Sequence, residues 1–426
     1  MFHRPAQHNW SRISLRDGFA STSLRSGLAV PVVIVGVGGG LIGAAYLAAL
    51  KQVTEWIGPG QRPVLGQAVV LVTVGIATTL LGRWLGDSGN VELLVDNIHV
   101  LGGAEDLRQV RPLIPQSLLC VGAGGAMGPE APLVQASGTF GTWTASRFDL
   151  DPEDMRVLTI TGMAAGFSVL FGAPLGAAIF ALEILHKRGL QYYEALVPAL
   201  VGALIGFALN FVLTGLGLEP VWSLPAAGPL SGADLMWGLA CGAIGALGAL
   251  AFTGAVRASR WAVSRVQEWM LPAGAGVLLA ALYWWSPYAL TNGEFQVESV
   301  VLGKLSVSAL AVAIAAKFAG VMVTLTGRWK GGFIIPLFFM GIAGGQMLHL
   351  FFPSADPTVL MVALAVALCV GVTKTPLGST LVVSQMAGLA LLPTALAAAV
   401  VALVLTRRTS VIHTQRARTS PLEMST

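Results

Sequence analysis

The sequence predicts an all-α integral membrane protein built as an inverted repeat of broken and re-entrant transmembrane helices. Three observations carry that prediction. Of 426 residues, 55% are hydrophobic and only 11% charged, with a mean hydropathy of +0.74, where a soluble domain carries about 25% charged residues. Apolar runs recur along the chain but are cut by Gly and Pro, and several fall short of the ~20 residues of a simple span. Such helices persist at membrane depth only where they are buried in protein or line a cavity. Finally, two segments return at nearly one offset. Residues 172–184 align with 374–386, 202 residues on, and Glu130-Ala131-Pro132-Leu133 aligns with Ile334-Ile335-Pro336-Leu337, 204 residues on. Matching breaks in two repeats point to a binding site between them.

In chain order, residues 1–27 read as a short amphipathic cytoplasmic segment, with Pro, His, Asn and Trp ahead of any apolar run, unlike a signal peptide. A first membrane repeat spans 28–217, with apolar runs at 28–50, 67–85, 110–127, 157–186 and 194–217. The Pro- and Gly-rich stretch 218–231 links it to a second repeat at 232–405, with runs at 233–256, 270–286, 306–326, 331–352, 358–372 and 376–405. A basic cytoplasmic tail, 406–426, follows. The net charge of +4 gathers at the ends: Arg4, Arg12, Arg16 and Arg25 before the first span, Arg407, Arg408, Arg416 and Arg418 after the last. Positive flanks mark the cytoplasmic side, so both termini are placed there, and topology explains these arginines without a nucleic-acid partner. Cys120, Cys241 and Cys369 stand singly in apolar stretches and read as packing thiols. His99, His186, His349 and His413 show no ligand spacing, so neither a metal nor a cofactor is expected. A membrane-embedded protease or lipid-modifying enzyme is the alternative class. Against it, no Ser/His/Asp or HExxH constellation lies on adjacent spans, so no catalytic residue is assigned.

The chemistry concentrates at three breaks. Gly128-Pro129-Glu130 starts a helix, since Pro is tolerated in a first turn and not inside one. The free N–H groups and positive dipole end then face back toward residues 124–128, an arrangement that binds anions. Asp87-Ser88-Gly89-Asn90 and Lys330-Gly331-Gly332-Phe333-Ile334-Ile335-Pro336 are the other two breaks. Each leaves backbone N–H groups in need of a partner, and one dehydrated anion satisfies all three. Glu130 is an acid built into that site, set against the blander reading of a carboxylate capping its own helix. Ser88 is an anion ligand or a helix terminator, and Gly332, Phe333 and Ile334 act through backbone N–H. Lys317, Lys330 and Lys374 raise local anion concentration or simply snorkel and cap.

At this point the residues resemble a family, the CLC chloride channels and proton-coupled chloride antiporters. Its GREGP motif is matched by Gly128-Pro129-Glu130-Ala131-Pro132, its GSGIP motif in degraded form by Asp87-Ser88-Gly89-Asn90-Val91, and its GGIFAP motif by Gly331-Gly332-Phe333-Ile334-Ile335-Pro336. The longest match runs through 162–183, and the resemblance covers about 30–420. It implies a CLC-type fold in a homodimer within the lipid bilayer, as a divergent prokaryotic inner-membrane member without C-terminal regulatory domains. It also implies transport of chloride or a similar monovalent anion in exchange for protons, with Glu130 as gating and proton-accepting glutamate. Three departures matter. Pro129 replaces the arginine before that glutamate. Ile184, one position after Glu183, stands where proton-coupled members often carry an inner proton acceptor, leaving Glu183 as a possible route. Ile412 stands where a tyrosine usually supplies the inner hydroxyl of the anion site. Passive conduction is therefore the alternative mechanism. A fluoride-transporting relative is another, since Asn90 and Ile98-His99 also resemble that branch.

Overall fold

The computed structural model describes residues 27–415 except 61, 87, 89–90, 104–106, 188–189, 216–221 and 223, with backbone alone at 91, 93 and 107–109. The N-terminal segment with its four arginines, Asp87, Gly89, Asn90, part of the 218–231 linker, and Arg416 and Arg418 thus lie outside the described residues. Within them the chain forms sixteen α-helices. These are α1 (Ala29–Ile57), α2 (Val64–Leu85), α3 (Val91–Leu101), α4 (Leu107–Gly122), α5 (Glu130–Arg147), α6 (Pro152–Phe171), α7 (Pro174–Glu183) and α8 (Leu196–Thr214). They continue as α9 (Gly232–Ala262), α10 (Leu271–Trp285), α11 (Val297–Leu302), α12 (Val307–Thr326), α13 (Ile334–Phe351), α14 (Pro357–Thr373), α15 (Pro376–Ala387) and α16 (Leu392–Thr406). Among the described residues, eight helical segments are long and apolar enough to cross a membrane.

Helix starts and stops obey local chemistry, and obey it twice. Asp151 accepts from Glu153 and Asp154 N–H to start α6, with Pro152 next. Asp356 accepts from Thr358 and Val359 N–H to start α14, with Pro357 next. An Asp cap followed by Pro is a strong start signal. Both helices end on a left-handed residue, Gly172 (φ 61°) and Lys374 (φ 66°), and both successors begin with Pro. The apolar run 157–186 is therefore two helices, split at Gly172, and the run 376–405 is split at Gly388 (φ 128°). Helix α3 lies outside every apolar run. Its face presents Leu94, Val95 and Ile98 to the core.

Helices α6 and α14 are buried on nearly every side, as expected of helices without a polar face. Across the molecule, sister positions touch one another. Gly176 of α7 lies against the backbone of Val382 in α15, and Gly378 lies against that of Phe180, each 202 residues from its counterpart. Gly75 abuts Pro272 O, and Gly276 abuts Leu71 O. Backbones approach this closely in a membrane only where side chains are absent. Gly128 and Gly332 exchange two backbone hydrogen bonds, 2.8 Å and 2.7 Å, in an antiparallel bridge joining the starts of α5 and α13. Contacts that are their own counterparts are what a pseudo-two-fold axis produces.

Candidate functional site

The bridge between Gly128 and Gly332 sets two helix N-termini face to face, and Glu130 is the first residue of α5. It is 1% exposed. Its Oε1 accepts from Ile335 N–H at 2.6 Å, so the carboxylate caps α13, across the bridge from its own helix. Its Oε2 finds no hydrogen-bond partner among the described residues. Beside it lies a cavity of about 30 Å³, lined by Glu130, Gly332, Phe333, Ile334, Ile184 and Ile412, together with Thr373 and apolar side chains from α3, α5 and α6. That volume admits one water-sized particle. Six residues from four separated stretches of chain thus meet at one small space.

Ser88 is not in that lining. Its hydroxyl donates to Gln116 Oε1 at 3.0 Å, which satisfies it locally. Glu183 is also elsewhere: its oxygens accept from Leu377 N–H (3.3 Å) and Gly378 N–H (2.8 Å), capping α15. The sister residue Gln385 does the same for α7, accepting from Gly176 N–H at 3.1 Å. Since a glutamine serves in one of two equivalent places, Glu183→Gln is expected to shift stability by less than about 1 kcal/mol. Glu183→Ala, which strands two buried donors, should cost about 1–3 kcal/mol. Thermal unfolding in detergent measures both.

The lysines are committed to carbonyls. Lys317 Nζ donates to Leu290 O (2.6 Å), Thr291 O (2.7 Å) and Gln296 Oε1 (2.9 Å). Lys374 Nζ donates to Gly371 O, Thr406 O and Thr406 Oγ1. Both are capping groups, and Lys330 is engaged as well. Two participants escaped the sequence reading. Thr373 lies next to a recognised repeat segment but carries no motif. Gln415, within the basic tail, is buried and donates from Nε2 to Ile184 O and Thr373 O, both 2.8 Å. The tail's first residues therefore turn inward: Ser410, Val411, Ile412 and Gln415 are all buried. Ile412 lines the cavity, while Gln415 satisfies the ends of α7 and α14.

A sequence profile described as voltage gated chloride channel matches residues 106–407. The chain belongs to that family. This CLC membership makes it an integral, multi-pass membrane protein of an anion-transporting family. The chloride/fluoride channel protein of Pseudomonas syringae pv. tomato is 28% identical over 407 residues, covering 88% of this chain and 83% of that one. The voltage-gated ClC-type chloride channel ClcB of Salmonella typhi is 28% identical over 301 residues, covering 68% of this chain and 71% of its own. Two solved structures share the CLC fold. A CLC-type fluoride/proton antiporter superposes with a TM-score of 0.79 at 20% identity, covering 92% of this chain and 98% of its own. A slow cyanobacterial Cl−/H+ antiporter gives 0.78 at 21% identity, covering 91% and 96%.

Proposed function

We propose that the protein moves chloride or a similar monovalent anion through the cavity beside Glu130, in exchange for protons that Glu130 accepts and releases. One observation carries this reading. The Glu130 carboxylate stands on the N-terminus of α13, at Ile335 N–H, where free N–H groups and the helix dipole favour an anion. A charged Glu130 and the transported anion compete for one position, and a neutral Glu130 yields it. Backbone N–H groups at Gly332, Phe333 and Ile334 would hold the anion from the α13 side. Ser88 is left out of this assignment because its hydroxyl is committed to Gln116. The site lies between repeats at 28–217 and 232–405, joined by 218–231. We place the protein in a prokaryotic inner membrane as a homodimer, with both termini cytoplasmic.

Purified protein in liposomes tests this reading, with anion efflux and proton movement recorded together under chloride and under fluoride gradients. An anion gradient should drive protons uphill. Robust anion flux without proton movement would favour the passive channel, the second reading, which the apolar Ile184 in the cavity wall supports. Absence of flux for both halides overturns the assignment. The fluoride arm is included because one relative bears chloride/fluoride in its name and a structural neighbour is a fluoride/proton antiporter.

Ile412 closes the inner side of the cavity with a side chain that offers no donor. A hydrogen bond to a charged group contributes about 1.5–3 kcal/mol. Ile412→Thr, which keeps the β-branch and adds a hydroxyl, should tighten anion binding by roughly tenfold or more. Calorimetry on the detergent-solubilised protein measures it, and an unchanged affinity would move the anion away from Ile412.

A further inference from the structure

One wall of the cavity opens onto a run of buried hydroxyls. Thr373 lines the cavity, and its Oγ1 lies 2.7 Å from Thr375 Oγ1. Thr375 Oγ1 lies 2.7 Å from Ser379 Oγ. The Ser379 hydroxyl donates to Cys369 Sγ at 3.4 Å, and that sulfur lies 3.7 Å from Thr373 Oγ1, closing a ring. All four side chains are fully buried. The inner end of this chain of hydroxyls reaches the turn that Glu183 holds. Thr375 precedes, and Ser379 follows, the Leu377 and Gly378 N–H groups bonded to that carboxylate.

The fold does not require these groups. At the sister positions, 202 residues earlier, stand Phe167, Phe171, Ala173 and Ala177. All four belong to the apolar core, and the two rings stack at 5.5 Å. Thr373 has an ordinary local bond to Cys369 O at 2.8 Å, but Thr375 and Ser379 pair with side chains. Buried hydroxyls cost free energy unless paired. Here several are paired with one another in a row, while the equivalent site packs with carbon.

We propose that Ser379, Thr375 and Thr373 form a hydroxyl relay that carries protons from the turn held by Glu183 to the cavity beside Glu130. The relay supplies the inner route at which Ile184 offers no acceptor, and it rests on the proton-coupled reading above. A hydronium ion on the Glu183 side gives its proton to Ser379 Oγ and leaves as water, while Ser379 passes its own proton to Thr375 Oγ1, Thr375 to Thr373 Oγ1, and Thr373 to the cavity. Every oxygen thus makes one O–H bond and breaks one. A water in the cavity, for which about 30 Å³ suffices, hands the last proton to the unpartnered Oε2 of Glu130. The carboxylate becomes a neutral acid and no electrons are transferred. Between passages Ser379 turns its proton from Cys369 Sγ toward Thr375, and Thr373 turns its own from Cys369 O toward the cavity.

Thr375→Val exchanges the hydroxyl for a methyl at nearly constant shape. In the liposome assay the number of protons moved per anion should fall by roughly tenfold, and Thr375→Ser should restore it. A matched unfolding temperature for the two variants excludes a general loosening. If Thr375→Val does not fold, Ser379→Ala takes its place, since the sister position is already Ala177. A coupled parent protein whose Thr375→Val or Ser379→Ala variant keeps the full ratio overturns the relay alone. A parent protein that moves no protons under either halide gradient overturns the coupled reading, and the relay with it.

Discussion

Glu130→Gln is expected to end proton movement while anion flux continues, and to remove the pH dependence of that flux. The amide copies the neutral acid in shape but cannot exchange a proton with the cavity. It can still accept from Ile335 N–H, now as a neutral partner. A charge-assisted hydrogen bond is about twice as strong as a neutral one, a difference of about 1 kcal/mol. The amide should therefore leave the α13 terminus to an anion roughly fivefold more readily than the carboxylate does. Anion flux should rise accordingly, or hold where another step limits it. Paired recordings of anion and proton in vesicles, repeated across pH, measure every part of this. Loss of anion flux in a folded Glu130→Gln protein, or intact proton coupling, would reduce Glu130 to a cap on α13.

Gly128→Ala should force the same gate open without touching the acid. A Cβ at Gly128 would stand 2.3 Å from Glu130 Oε2, 2.7 Å from its Cδ and 2.8 Å from its Oε1. These nearest atoms all belong to the mobile end of one side chain. The carboxylate can therefore move aside while the backbone stays. Doing so forfeits its bond to Ile335 N–H, worth about 1.5–3 kcal/mol for a charged group, and exposes that terminus to the anion. The variant should conduct anions faster and respond less to pH. Adding Glu130→Ala should change nothing further, because the two substitutions act on one contact. Additive effects, or an unaltered pH response in Gly128→Ala, would show that the carboxylate does not stand where anions pass. Gly332→Ala is a harsher change, since its Cβ would also meet Glu130 Cβ at 3.0 Å.

The same residues show what a sequence can disclose. The helix start at Gly128-Pro129 was legible because prolines act locally, and the repeat was legible because its breaks recur at nearly one offset. Glu130 stood out as a carboxylate at such a start. Which helix it caps was not legible: its own helix was the natural partner, and only the bridge between Gly128 and Gly332 hands it to α13. The split of run 157–186 was hidden because apolar residues continue on both sides of the turn at Gly172. That Ser88 pairs with Gln116 was not legible, because Gln116 lies 28 residues away on another helix. Thr373, Thr375 and Ser379 form no motif, and only the turn between α14 and α15 puts their hydroxyls in line. Gln415 gave no sign at all, for its partners are carbonyls that every residue possesses.

The exchanged caps tie the two halves to one another. Glu183 completes α15, Gln385 completes α7, and the starts of α5 and α13 bond to each other. At these four helix starts each half presents the groups that the other lacks. A surface that is its own complement about a two-fold axis is that of a symmetric dimer. The two halves stand to each other as the protomers of such a dimer would. Joined in one chain they need not be identical: an acid stands at 130 where its sister is Ile334, and hydroxyls stand at 373, 375 and 379 where the sister positions are Phe171, Ala173 and Ala177. Two chemically different walls thus face one another across a frame whose contacts are still paired about an axis.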